Sequence, residues 1–111
     1  MNYHNKTFKS ISNSENGQVS PETVFNYQQE GNILSGHYSG GGIKKGNLIG
    51  IVDGDGKIDM RYCHINSQGE IMTGRCFSKP ELTPIGKIRL YERWQWTSGD
   101  LSQGESIVEE V

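Results

Sequence analysis

The sequence has few of the features that mark the larger functional classes of protein. It contains only two cysteines, Cys63 and Cys76, and three prolines in 111 residues. No apolar stretch lies near the N-terminus, and none is long enough to span a bilayer. We therefore expect a cytoplasmic protein with no membrane partner. Because the cytosol is reducing, we interpret both cysteines as free thiols packed in a sheet.

An excess of charge of one sign is also lacking. The 11 Lys and Arg residues and 13 Asp and Glu residues give a net charge of -2 and are scattered along the chain. Since a basic surface is needed to hold a phosphate backbone, nucleic acid is not expected as a partner. The run Gly40 to Gly42 has neither the spacing of a phosphate loop nor a helix after it, so the sequence predicts no cofactor.

Glycine, in contrast, is abundant. The chain has 15 glycines and a hydrophobic fraction of 32%, a composition typical of short strands joined by tight turns. Its length is usual for one domain, so residues 1–111 are predicted to form a single domain. Turn signals recur about every ten residues and separate about eight strands. They lie at residues 15–17, 30–32, 40–42, 53–56, 66–69, 80–86 and 97–104.

These connections are too short for crossover helices, so neighbouring strands should pair antiparallel. Pairing the first strand with the last would remove both exposed edges of the sheet. The sequence therefore predicts an all-β, antiparallel up-and-down meander that forms a closed or nearly closed barrel. One segment is ambiguous, because Ser20-Pro21-Glu22 is typical of a helix start. The β-branched and aromatic residues from Thr23 to Tyr27 favour a strand.

The inward faces of the strands can be read from their alternation. In the last strand but one, the inward residues are Ile88, Leu90, Glu92, Trp94 and Trp96. An earlier strand has Ile58, Met60, Tyr62 and His64 on one face and Asp59, Arg61 and Cys63 on the other. The segment Leu48 to Val52 is apolar on both sides, which predicts a strand covered on both faces, as by a subunit contact.

Polar and aromatic residues on these inward faces are the best candidates for a site. Glu92 lies beside Trp94 and Trp96, with Tyr62 and His64 on a second strand and Tyr38 on a third. A carboxylate inside a barrel needs an Arg, a Tyr hydroxyl or a ligand donor as its partner. Two other interpretations stay open, in which Glu92 is tied to an inward Arg in a packed lumen or lies at the barrel mouth in water.

Three further patterns are weaker. The segment Asp53 to Asp59 is similar to the middle of an EF-hand loop, but Ile51 and Tyr62 stand where its outer carboxylates belong, so a hairpin turn is predicted. Residues 97–104 are typical of an exposed turn and could also form a pocket rim. No metal site is predicted, because no recognised zinc spacing occurs among His4, His37, His64, Cys63 and Cys76.

Several phrases of the sequence resemble a family of small bacterial proteins of unknown role, over nearly the whole chain. They are Tyr38-Ser39-Gly40-Gly41, Asp59-Met60-Arg61-Tyr62, Thr73-Gly74-Arg75-Cys76, Gly86-Lys87-Ile88-Arg89-Leu90 and the run from Glu92 to Asp100. Members often carry the label N-acetylglutamate synthase, which implies acyl transfer from acetyl-CoA to glutamate. Such an enzyme needs a glycine-rich loop that opens a helix, and this sequence has neither, so we predict a protein that is not catalytic.

The expected architecture is similar to that of the calycin group, the lipocalin-like and avidin-like barrels that bind small ligands. The phrases Leu34-Ser35-Gly36-His37-Tyr38 and Trp96-Thr97-Ser98-Gly99 are similar to phrases of avidin. This resemblance implies a calycin-like barrel that binds small molecules. The Gly-x-Trp pattern that usually opens such barrels is absent, so no particular ligand is implied.

Three hypotheses follow. In the first, a non-enzymatic barrel binds a small, partly apolar ligand in a lumen lined by Trp94, Trp96 and Tyr62, with Glu92 at its polar end. In the second, the lumen is packed and the protein is a homo-oligomeric structural or interaction protein that associates through Leu48 to Val52. In the third, Glu92 and His64 are the acid and base of an enzyme of unknown reaction.

Overall fold

The computed structural model describes residues 1–111, which form eight antiparallel strands in one closed barrel. The strands are β1 (Lys6–Asn13), β2 (Val24–Glu30), β3 (Ile33–Gly40), β4 (Ile43–Val52), β5 (Ile58–Asn66), β6 (Ile71–Leu82), β7 (Ile88–Trp96) and β8 (Gln103–Glu110). Each strand pairs with the next one in sequence, and β8 pairs with β1. The predicted all-β meander barrel is confirmed. No helix in the structure is long and apolar enough to cross a membrane.

The connections agree with the predicted turns at most positions. Gly31, in the short turn between β2 and β3, has a φ of 61°, which glycine adopts without the steric penalty of a side chain. The segment that contains Pro21 is a turn, and β2 begins at Val24, so a strand rather than a helix follows it. The predicted turn from residue 80 is wrong, because β6 continues to Leu82 and pairs Pro80 with Leu90. A proline is tolerated in a strand where its nitrogen need not donate to the ladder.

The sheet is one layer thick, so each strand has an inner and an outer face. The five inward residues predicted for β7 are all buried. On β4, Leu48 and Val52 are buried, but Ile49 and Ile51 are 61% and 59% exposed. The predicted cover over both faces of this strand is therefore absent within a single chain, since no second layer lies outside the barrel.

The two cysteines differ in their surroundings. Both are free thiols, and Cys76 is buried in the lumen. The prediction that both are packed is wrong for Cys63, which is exposed. Its position in β5 is directly before the inward His64, and successive side chains of a strand point to opposite faces.

One end of the barrel is filled by large side chains. Tyr3, Phe8 and Tyr27 are almost completely buried, and their ring centroids lie 4.9 to 6.3 Å apart. The Tyr3 hydroxyl donates to the carbonyl of Gly56 in the β4–β5 turn, and its backbone N–H donates to Oε1 of Gln29. The N-terminal residues thus close this end of the barrel.

Candidate functional site

A cavity of about 60 Å³ lies in the lumen, at the end of the barrel that residues 17–19 line. This volume is that of about two molecules of liquid water. All six residues that the sequence singled out line it: Tyr38, Tyr62, His64, Glu92, Trp94 and Trp96. The other lining residues are Asn13, Gly17, Gln18, Val19, Phe25, Tyr27, Leu48, Met60, Cys76 and Ser106. The structure therefore brings inward residues of separate strands around one cavity.

Aromatic rings form most of the cavity wall. Trp96 is at its centre, with its ring centroid 5.5 Å from that of Trp94 and 5.8 Å from those of Tyr62 and His64. These ring pairs meet at 60° to 73°, so several ring faces and edges are presented to the same space. Each ring is placed by the alternation of its own strand, while the closed sheet brings β5 and β7 together across β6.

A chain of hydrogen bonds joins two residues of this wall to Gln18. The Tyr38 hydroxyl donates to Nδ1 of His64 over 2.8 Å, and Nε2–H of His64 donates to Oε1 of Gln18 over 2.8 Å. The amide oxygen can only accept, which assigns the imidazole proton to Nε2. Burial lowers the pKa of His64 from 6.5 to about 4. The histidine is therefore neutral at physiological pH and has both ring nitrogens engaged.

Glu92 forms the polar floor of the cavity and is only 9% exposed. Its partners come from both neighbouring strands, because Ser78 and Ser106 are its direct cross-strand neighbours. Ser78 Oγ donates to Oε2 over 2.8 Å, and Ser106 Oγ donates to Oε1 over 3.1 Å. The alternatives of an inward Arg partner and of a solvated position at the mouth are both wrong. Burial raises the pKa of Glu92, and the hydrogen bonds from the serines oppose that rise only in part.

Residues 14–23, which connect β1 to β2 and are called the strap here, contribute Gly17, Gln18 and Val19 to the lining of the cavity. The Trp96 indole N–H donates to the carbonyl of Asn16 in the strap over 3.1 Å. The Trp94 indole N–H donates to Oδ1 of Asn13 at the base of the strap over 3.2 Å, and Nδ2 of Asn13 donates to the carbonyl of Val19. Both tryptophans are therefore oriented by the element that covers them.

A family model described as avidin-like protein matches residues 1–111. The chain belongs to the avidin-like protein family. Neither the search of curated proteins nor that of solved structures gave a match. The family match and the closed eight-stranded barrel confirm the calycin-like, avidin-like architecture expected from the sequence.

The loops of this avidin-like protein outside the cavity have simpler roles. Oδ1 of Asp53 accepts from the backbone N–H groups of Asp55 and Lys57, both over 2.9 Å, which is the hairpin turn predicted for the segment that resembles an EF-hand. No group of three His, Cys, Asp or Glu side chains is placed to hold a metal ion. Residues 97–104 do not line the cavity, but Oγ of Ser102 accepts from Nδ2 of Asn16 and so holds the strap.

A larger groove of about 770 Å³ lies on the outer surface of the barrel. Exposed side chains such as Phe77, Lys79 and Glu105 flank it, and it is open to solvent. The lumen is the better candidate for a small-molecule site, because a site that buries most of a ligand is concave and largely apolar.

The residues that the sequence analysis missed are mainly those of the strap and the serine partners of Glu92. Ser78 and Ser106 lie two positions from the inward Cys76 and Val108, so strand alternation could have placed them in the lumen. Gln18 gave no signal, because a loop has no periodicity that shows where it crosses a barrel. Asn13 is the last residue of β1, a strand whose register with β8 shifts, so alternation did not identify it either.

Proposed function

We propose that this avidin-like protein binds a small, partly apolar molecule in the lumen of its barrel and does not catalyse a reaction. The observation that carries the proposal is the cavity itself, in which aromatic walls and a few oriented polar groups converge in an otherwise filled barrel. This combination is typical of small-molecule sites. Catalysis is less well supported, because both ring nitrogens of His64 and both oxygens of Glu92 already have partners in the protein.

Native mass spectrometry of freshly purified protein tests this proposal. We expect a bound species of defined mass that is released on denaturation. The Trp94→Ala variant should lose it, because Trp94 forms part of the cavity wall. Tyr91→Ala is the matched control, since Tyr91 is an aromatic residue of the same strand that points outward and is exposed. Equal occupancy of both variants, with both folded by circular dichroism, would contradict binding in the lumen.

We also propose that the protein self-associates through the outer face of β3 to β6. Ile33, Ile49, Ile51 and Phe77 are 49% to 61% exposed there, and Ile33 is paired with Ile51 across β3 and β4. Ile33, Ile49 and Ile51 form one exposed apolar patch, and Phe77 lies on the other side of Asp59. Exposed apolar patches of this kind are typical of interaction sites. Association through this surface would cover the outer side of Leu48 to Val52, the segment whose sequence pattern predicts a strand covered on both faces.

The charges around Phe77 favour a second copy of this chain as the partner. Asp59 and Arg93 are its direct cross-strand neighbours, one on each side. A two-fold axis parallel to β6 would place Asp59 of one copy opposite Arg93 of the other, which is the self-complementarity that an isologous interface requires. Analytical ultracentrifugation should show a dimer that Phe77→Glu dissociates. Ile85→Glu, at an 82% exposed position in the β6–β7 turn, should leave it intact. A monomer at all concentrations would refute this.

A further inference from the structure

The lumen has an acidic side chain but no positively charged one. Glu92 is the one acidic side chain among the cavity-lining residues, and none of them is Lys or Arg. His64 supplies no positive charge, because burial keeps it neutral. Burial also raises the pKa of Tyr38 and of Tyr62, so both remain uncharged phenols. An anionic ligand would therefore meet no compensating charge in the lumen, whereas a cation would meet one carboxyl group.

The surroundings of Glu92 also favour a cation. Its hydrogen-bond donors are the uncharged hydroxyls of Ser78 and Ser106. Buried carboxylates are normally paired with a cation, since two neutral hydrogen bonds replace only part of their hydration. The titratable groups on which the Glu92 charge acts are Cys76, Tyr27 and Tyr62, and burial raises the pKa of each, so that all three are neutral. The protein itself thus lacks the positive partner for this carboxyl group.

The cavity wall supplies a second feature that attracts cations. The faces of aromatic rings carry partial negative charge, and indole has the strongest attraction of the three ring types. Trp94, Trp96 and Tyr62 surround the space at steep mutual angles. Glu92, Trp94 and Trp96 alternate on the inner face of β7, so the carboxyl group and the two indoles face the same lumen.

Resting on the proposed binding function, we infer that the lumen recognises the head of a small organic ammonium ion, with Glu92 as its counterion and the rings of Trp94, Trp96 and Tyr62 as its walls. The volume of about 60 Å³ limits the buried head to a few non-hydrogen atoms. A bound cation stabilises the ionised form of Glu92, whose pKa burial raises.

Three probes of equal non-hydrogen atom count and differing charge test the inference: isopropylammonium, propan-2-ol and acetate. Binding can be followed at neutral pH by the fluorescence of Trp94 and Trp96, which are the two tryptophans of the chain. Ligands of this size bind with about millimolar affinity. We expect isopropylammonium to bind about tenfold more tightly than propan-2-ol, and acetate to bind most weakly.

The Glu92→Gln variant keeps the size of the side chain and removes its charge. It should weaken isopropylammonium binding about tenfold and change propan-2-ol binding less than about twofold. Glu30→Gln is the matched control, because Glu30 is exposed at the end of β2. Its binding should equal that of the wild type.

The outcomes separate the two proposals. If propan-2-ol binds as tightly as isopropylammonium, or if Glu92→Gln binds the cation normally, the choice of a cation is overturned and the lumen remains a binding site. If acetate binds best, the charge argument is wrong. If none of the probes binds and no species is released in the mass-spectrometry experiment, the proposed binding function fails as well.

Discussion

Acidification should destabilise this protein through His64. The imidazole is 2% exposed, and its pKa is lowered from 6.5 to about 4 by burial. In the unfolded chain the histidine has its ordinary pKa, so below pH 6.5 the unfolded state takes up a proton that the folded state does not. The free energy of unfolding should therefore decrease as the pH falls from 6.5 and level off near pH 4.

The magnitude follows from the pKa shift. Each pKa unit corresponds to about 1.4 kcal/mol, so the full effect of His64 is about 3 kcal/mol. The phenols that face it, Tyr38 and Tyr62, remain neutral and do not offset this loss. Glu92 acts in the opposite direction, because its raised pKa favours the folded state as the pH falls. A comparison of variants is therefore needed to isolate the histidine.

Urea denaturation at a series of pH values between about 7.5 and 4 would measure the effect. Glutamine at position 64 cannot take up the proton. Over that range the free energy of unfolding of the wild type should therefore fall by about 3 kcal/mol more than that of His64→Gln. His37→Gln is the control, because His37 is exposed on the outer face of β3, and it should follow the wild type. Equal pH dependence of His64→Gln and wild type would refute the argument.

Three other outcomes are expected. The raised pKa of Glu92 contributes stability at low pH that is lost as the pH rises above 4.5, so thermal melts of Glu92→Gln should show a smaller loss at alkaline pH than those of wild type. Gly74→Ala should lower the free energy of unfolding in urea by about 1 to 3 kcal/mol, because the added Cβ would lie 2.2 Å from the Tyr62 ring. An unchanged urea midpoint would show that the ring moves freely. In thiol labelling, exposed Cys63 should react at once and buried Cys76 only on unfolding, and two equally fast thiols would contradict the described burial.

The fold could be predicted from the sequence because its signals are local. The alternation from Ile88 to Trp96 repeats with the period of a strand. From β2 to β8 the strands are joined by glycine-containing turns of two to six residues, which are too short for anything but antiparallel pairing of neighbours. Pro80 shows the limit of such signals. A proline usually marks a turn, but here β6 continues past it to Leu82, where the ladder with β7 decides the strand end.

The candidate site could be predicted only in part. Strand alternation placed Glu92 and Trp94 in the lumen, and the structure places them there. The two hydroxyl partners of Glu92 depend on the registers of β6 and β8, which rest on many weak contacts along each strand pair. The position of Gln18 depends on the path of the strap, and a ten-residue connection without periodicity does not reveal it.

The strap also affects how fast a ligand can exchange. The indole N–H groups of Trp94 and Trp96 bond to Asn13 and to Asn16, and Gln18 bonds to His64. We expect a molecule that enters or leaves the lumen to pass between these groups, because the opposite end is filled by Tyr3. Opening of a covering loop is usually slower than diffusional encounter. Association and release should then share one gating step, and a ligand of modest affinity could have a long residence time.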